Sequence, residues 1–235
     1  MVAITFALPT ESRDFVSQLT HRYEVARAGS VAICGSFHGQ PVAVVHTGVG
    51  EVACRLTIES FLERQRVDCV VSAGFAGALD PKLRVGDLLI AQNFSSPELL
   101  ASPKMQLEEM SIYLATLTSS AGVIDSADQR RELAQRTGTS AVDMETEFIA
   151  AACAEHSIPV LALRAISDTA TEPFPAPAEV LFDVIAQRTK PLRLAGYLLA
   201  HPSAVVRLAA FAQRIAVVRS TLTQALALIV RAGLP

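Results

Sequence analysis

The sequence predicts an α/β fold with a largely buried central sheet. Three observations carry this expectation. Short apolar runs alternate with helical patterns along the first 170 or so residues, the order that lays helices over a sheet. Several runs are continuous rather than alternating in polarity, as in strands covered on both faces. With 51% hydrophobic and 18% charged residues among 235, the chain can bury a sizeable core.

The elements follow in order. Val2–Leu8 reads as a strand stopped by Pro9, and Glu11–Leu19 as a helix with Thr10 as N-cap. Ser30–Phe37 and Pro41–His46 read as a hairpin turning at Phe37-His38-Gly39-Gln40. Gly48-Val49-Gly50 opens a helix over Glu51–Arg64. Cys69–Ser72 is a short strand running into a Gly-rich turn, Gly74-Phe75-Ala76-Gly77, and Asp87–Ala91 is another strand. Loops at Ser95-Ser96-Pro97 and Ser102-Pro103 precede a helix at Met105–Leu117. Ala127–Thr137 is a helix ended by Gly138, Ala141–Met144 a strand, and Glu145–His156 an Ala-rich helix. Pro159–Ile166 is a strand ending in Ser167-Asp168-Thr169. Pro173, Pro175 and Pro177 form an extended link to helices at Val180–Arg188, Leu192–Ala200 and Ser203–Val230. No repeat and no second-domain boundary is visible, so residues 1–235 read as one domain, with 184–235 as a helical extension.

Composition excludes several classes. Low charge and positive mean hydropathy exclude a disordered chain. No apolar run reaches the length of a membrane span, and Met1–Pro9 lacks the basic start of a signal peptide. Cys34, Cys54, Cys69 and Cys153 show neither C-x-x-C nor zinc-ligand spacing, and read as reduced, buried thiols of a cytoplasmic protein. The five histidines are scattered, and no metal site is expected. Charge is uneven. Residues 184–235 hold seven Lys or Arg and no acid, so a +7 tail in a chain of net −3 leaves −10 on the rest.

The candidate chemistry sits where strands end, the place where open α/β sheets gather ligands. Glu11 follows the first strand, Gly74–Gly77 a central one, Asp143-Met144-Glu145 another, and Asp168 the last. Singly, Asp168 reads as a loop or cap residue, Glu145 as a first-turn helix carboxylate and Glu11 as a solvated helix start. Jointly they outline an acidic pocket.

Val142-Asp143-Met144-Glu145 and the run from Ile158 to Asp168 resemble the signature of methylthioadenosine/S-adenosylhomocysteine nucleosidases and their phosphorylase relatives. Thr47-Gly48-Val49-Gly50 resembles that family's early glycine turn. Ser72–Leu79 with Val85-Gly86-Asp87 resembles its central strand, and Ala7–Glu11 falls where its catalytic glutamate lies. The match runs in order from about residue 2 to 170.

The resemblance implies a three-layer sandwich around a mixed sheet, and cleavage of a purine N-glycosidic bond. Asp168 would donate a proton or hydrogen bond to N7 of the departing base, which calls for a carboxyl raised in pKa by burial. Glu145 would accept from the ribose hydroxyls, with Met144 packed on the sugar, and Glu11 would deprotonate the attacking water. Val142, Ile124, Gly74 and Phe75 complete the expected substrate-binding set, and no cofactor is implied. Asp143, Glu147 and Arg164 are assigned structural roles.

Water is favoured over phosphate as nucleophile. Ser72 stands where hexameric phosphorylases carry an arginine, and their N-terminal phosphate loop is absent. Arg13, Arg55 or Arg84 remain as alternative phosphate ligands. Phe75 replaces a nucleosidase serine, which calls the usual small substrates into question. Together with the short 93–126 region and the basic, apolar tail, it resembles hopanoid-associated nucleoside phosphorylases, implying an adenosylhopane-like substrate. The tail itself reads as a helix packed on the core or on a dimer partner, or as one lying on the inner membrane surface. A nucleoside substrate and a homodimer are expected, and nucleic acid is not. The alternatives are a phosphate-dependent phosphorylase and a non-catalytic nucleoside-binding module.

Overall fold

A computed structural model describes residues 1–27, 30–100, 112–172, 195, 197, 198, 200, 201 and 203–234. The proline link, the helix expected at Val180–Arg188 and the 105–111 part of the helix expected at Met105–Leu117 lie outside these residues.

The centre is built from strands whose side chains are buried on both faces. β1 (Val2–Phe6), β4 (Gln40–His46), β5 (Cys69–Ala78) and β10 (Val160–Asp168) run parallel in the order β4-β1-β5-β10. Successive side chains alternate between faces, so Val2, Ile4 and Phe6 join one core cluster and Ala3 the other. Val42 and Val44 likewise part from Ala43 and Val45.

β2 (Thr20–Arg27) and β3 (Ser30–Phe37) extend the sheet antiparallel beyond β4. The β3–β4 hairpin forms as expected. His38 and Gly39 both take positive φ, the two-residue turn that matches strand twist. On the other side β6 (Leu88–Ala91) pairs antiparallel with β10 and parallel with β7 (Ile112–Ala115). β9 (Ala141–Asp143) pairs with the end of β5 and with β8 (Leu117–Ser119). Parallel and antiparallel pairs make the sheet mixed.

Helices cover both faces. α2 (Glu51–Leu62) and α4 (Thr146–Glu155) pack on one, and α1 (Pro9–Val16) and α5 (Ser203–Arg231) on the other. α3 (Ala127–Thr137) starts at Ser126, whose side chain accepts from the Gln129 N–H, and ends at left-handed Gly138.

Several expectations change. The Gly74–Gly77 segment is not a turn, because β5 continues through it to Ala78. Ile112–Ala115 is a strand, not the end of a helix. Thr10 is not a cap: α1 begins at Pro9, whose fixed φ suits the first helical position. The described end of the extension, α5, packs on the core, one of the readings the tail allowed. Val218, Leu222, Ala225, Leu226, Ile229 and Val230 are buried against Ile4, Phe6 and Phe15. All four cysteines are free and buried. Among the described residues no helix is long and apolar enough to cross a membrane.

If α5 is core, emptying it costs core energy. Leu222→Ala is expected to destabilise the protein by roughly 2–5 kcal/mol, measured by urea denaturation. A change below about 0.5 kcal/mol, the range of surface substitutions, would show that the helix is not packed as described.

Candidate active site

Three carboxylates far apart in sequence meet at one cavity of about 320 Å³. Each is delivered by the end of a strand or by the helix start that follows it. Glu11 stands in the first turn of α1, directly beyond β1. Its Oε2 accepts the N–H groups of Ala7 at 3.0 Å and Leu8 at 3.2 Å, so its own carboxylate pins the strand-to-helix corner. Burial pushes its pKa up to about 7, against the opposing effects of the Leu8 N–H, the Arg164 charge and the Ala7 N–H.

Glu145 sits between β9 and α4, and its Oε1 accepts the Gly50 N–H at 2.8 Å. Gly50 has φ 84° and begins α2, so the early glycine turn serves to present an N–H to this carboxylate. Burial, then the neighbouring Asp143 charge, pushes Glu145 up to about 8.

Asp168 ends β10. Its Oδ1 accepts from Ser167 Oγ at 2.6 Å and its Oδ2 from Arg130 Nη2. The Asp168 and Arg130 side chains are each only 2% exposed. Sequence reasoning expects here a carboxyl raised in pKa by burial. The structure instead pairs it with a buried cation from α3. Arg130 Nη1 also donates to the Ala78 carbonyl at 3.1 Å. Gly77 leaves room for this pair: a Cβ there would stand 2.9 Å from Arg130 Nη1 and 3.1 Å from Asp168 Oδ2.

A second buried pair holds Glu145 in place. Arg164 Nε donates to Asp143 Oδ2 at 2.8 Å, while its Nη groups donate to Ser72 and Thr146. Asp143 accepts in addition from Ser119 Oγ and from the N–H groups of Glu145 and Thr146, capping α4. This accords with the structural role expected of both residues.

The other expected residues divide. Val142, Met144, Phe75 and Ile124 line the cavity. Gly74 lies inside β5 behind the wall, where a Cβ would stand 3.7 Å from Glu11 Oε2, an ordinary contact. The rest of the wall was not anticipated. Leu8, Val49 and Val123 add apolar surface, and Phe211 and Ile215 reach in from α5. Arg130 gave no signal, since nothing in the polar run Ala127–Thr137 separates it from Arg131, which pairs with Asp128 at the surface.

A larger cavity of about 830 Å³ lies beyond residues 169–172, lined by Leu83, Arg84, Thr171 and Arg214 among others. None of the three carboxylates faces it. The chemistry therefore places the candidate site in the smaller space. Among the described residues no group of three or more His, Cys, Asp or Glu is placed to hold a metal.

Comparison with known proteins places the chain among relatives of one family. The model of the phosphorylase superfamily matches residues 1–114 and 95–200. A 5′-methylthioadenosine/S-adenosylhomocysteine nucleosidase from Tolumonas auensis is 25% identical over 223 residues, covering 83% of this chain and 97% of the relative. The nucleosidase of that name from Neisseria meningitidis, solved with methylthio-immucillin-A, superimposes with a TM-score of 0.76 at 17% identity, covering 99% of each chain. That from Colwellia psychrerythraea, solved with adenine, gives 0.68 at 24% identity, covering 73% of this chain and 84% of its own.

The two glutamates make stability depend on pH. Both have folded pKa values above the ordinary value of 4.5. The folded state therefore binds their protons more tightly than the unfolded chain. Their contribution is complete below about pH 4.5 and is lost as pH rises through about 7 and about 8. Urea denaturation between about pH 5 and 8.5 is expected to show this loss. The slope is expected to flatten in Glu11→Gln and Glu145→Gln, and equal slopes in variants and parent would contradict it.

Proposed function

The chain belongs to the phosphorylase superfamily, and we propose that it cleaves the N-glycosidic bond of a 5′-substituted adenosine, releasing adenine, with water as the nucleophile. The observation that carries this reading is the convergence of Glu11, Glu145 and Asp168 on one cavity. The relatives named as methylthioadenosine/S-adenosylhomocysteine nucleosidases support the reaction class.

In this reading the C1′–N9 bond breaks with its electron pair leaving on the base. Asp168 supplies the proton to N7, so the base departs neutral. Water adds at C1′ and gives its proton to Glu11, and solvent returns Asp168 and Glu11 to their starting states. Glu145 accepts from the ribose hydroxyls and favours the cationic sugar, while Met144 packs against the ring. Val142 and Ile124 border the base. A glutamate raised to about 7 suits a general base working near neutrality.

The cations argue for water rather than phosphate. Arg13, Arg55 and Arg84, the residues weighed as phosphate ligands, do not line this cavity. Arg164 is tied to Asp143, Ser72 and Thr146, and Arg130 to Asp168.

The finer reading concerns the 5′ group. Leu8, Val49, Phe75, Phe211 and Ile215 give the cavity an apolar wall that suits a lipid-like substituent such as that of adenosylhopane. The proposal includes cytoplasmic action at the inner membrane surface. It is supported by the exposed Val205, Val206 and Val217 of α5 and by the excess of basic residues in 184–235, two of which, Arg214 and Arg219, are paired with Glu172 and Asp14. It also includes a homodimer, for which Val52 and Leu56 expose an apolar strip on α2.

The test is base release, followed by chromatography, from methylthioadenosine, S-adenosylhomocysteine, adenosine and a long-alkyl 5′-substituted adenosine, with and without phosphate. Adenine is expected without phosphate, with Asp168→Asn losing about 10²–10⁴-fold. Because Glu11 must be ionised to accept the water's proton, the rate is expected to rise with pH through about 7. Release that requires phosphate would make the protein a phosphorylase. No release from folded protein would leave a binding module.

A further inference from the structure

The stretch from His46 to Gly50 links β4 to α2 along the carboxyl edge of the sheet. It runs beside the corner that carries Glu11. The Thr47 N–H donates to the Phe6 carbonyl at 2.9 Å and the Gly48 N–H to the Ala7 carbonyl at 3.1 Å. At the far end of the stretch the Gly50 N–H donates to Glu145. His46 adds a side-chain contact that has no part in the reaction given above. Its Nε2 lies 2.7 Å from the Oγ of Ser12, the residue after Glu11 on α1. Ser12 is buried and His46 half-buried.

The direction of this bond follows from counting protons. Ser12 Oγ also lies 3.3 Å from the Pro9 carbonyl, to which it can only donate. A hydroxyl has one proton to give. Both contacts are satisfied together when His46 Nε2 carries a proton and donates to Ser12, which donates on to Pro9. Desolvation lowers the pKa of His46, so near pH 7 the ring is neutral and this is its Nε2–H tautomer. Such a ring ties α1 to β4 without placing a charge beside Glu11, on which the acting charges are those of Arg164 and Asp143. We propose that His46 is a positioning residue for the general base, acting through Ser12. The chain from His46 through Ser12 to Pro9 fixes the first turn of α1, and with it the place of Glu11 in the cavity wall.

This rests on the glycosidase reading given above. There Glu11 must meet a water beside C1′, and such catalysis falls steeply when the base is misplaced. Glu11 is held in two stages. Its own Oε2 accepts from the Ala7 and Leu8 N–H groups, which sets the carboxylate against the corner. The bond between Ser12 and His46 then sets the helix against β4. Gly50, four residues past His46, holds Glu145, so one short stretch governs how far apart the two glutamates stand. His46 itself transfers no proton in the reaction. With the tie cut, the first turn of α1 loses its side-chain link to β4, and water gains access to Glu11.

The experiment follows adenine release from the 5′-substituted adenosine that the parent turns over, measuring kcat, KM and pH dependence. Ser12→Ala and His46→Leu are each expected to lower kcat about tenfold while KM stays within about twofold. Desolvation is the largest cause of the raised Glu11 pKa, so admitting water is expected to move the rise in rate from about 7 to lower pH. The double variant is expected to be no slower than the slower single one. A glutamine amide places an N–H where the ring has Nε2, so His46→Gln is expected to recover most of the parent's kcat. Should one single variant not fold, the other carries the comparison with His46→Gln. Variants that lose stability to urea yet keep the parent's kcat and pH midpoint would mean that the pair only supports the fold. Losses that multiply in the double variant, or His46→Gln as slow as His46→Leu, would also overturn the proposal. A parent protein that releases adenine from no adenosine would overturn the glycosidase reading and this proposal with it.

Discussion

Arg164 and Asp143 meet where water has no access, and the rest of the cavity is arranged around that contact. Arg164 bonds at once to β5 through Ser72, to its own strand and to the start of α4 through Thr146. Asp143 returns bonds to the backbone of Glu145 and Thr146. Such a pair tolerates burial only because nearly every donor and acceptor finds a partner, and losing one member typically costs about 3–5 kcal/mol. The junction that presents Glu145 is therefore fixed by charge as well as by packing. Around it, Glu11 and Glu145 are half-buried, and desolvation raises their pKa values against the pull of the Arg164 charge.

Much of this was legible in the order of residues. Central strands announce themselves as unbroken apolar runs, and carboxylates placed just after them foretell a pocket at the sheet's carboxyl edge. Glu11, Glu145, Asp168, Met144, Val142, Phe75 and Ile124 were read from that logic and from the family resemblance, and they line one space. What escaped did so for physical reasons. β2 is an edge strand, largely exposed and polar, and gives no buried signal. Gly74 and Gly77 look like turn residues, yet both are strand residues, and Gly77 is kept small for the Arg130 and Asp168 side chains packed against it. Ile112–Ala115 is too short and apolar for its period to separate strand from helix. Arg130 was invisible because its meaning lies in a partner 38 residues away.

α5 joins two roles that a sequence reading keeps apart. Its later turns fill the core against Ile4, Phe6 and Phe15, while Phe211 and Ile215, earlier on the same helix, face the carboxylates. Arg219 bonds Asp14 on α1, three residues from Glu11, and Arg214 bonds Glu172, four residues past Asp168. The helix that walls the cavity is thus pinned to both elements that carry its outer acids.

The cavity wall and its carboxylates therefore come in part from different stretches of the chain, since Phe211 and Ile215 of α5 face Glu11, Glu145 and Asp168. The carboxylates stand at strand ends and at the helix starts that follow them, each held by hydrogen bonds to its surroundings. Phe211 and Ile215 belong to a helix whose anchoring residues lie elsewhere along it. Substitution on one helical face can then recut the outline of the cavity while the carboxylates and their hydrogen bonds stay as they are. A fold built this way lets the shape of a pocket vary independently of the charged groups that face it.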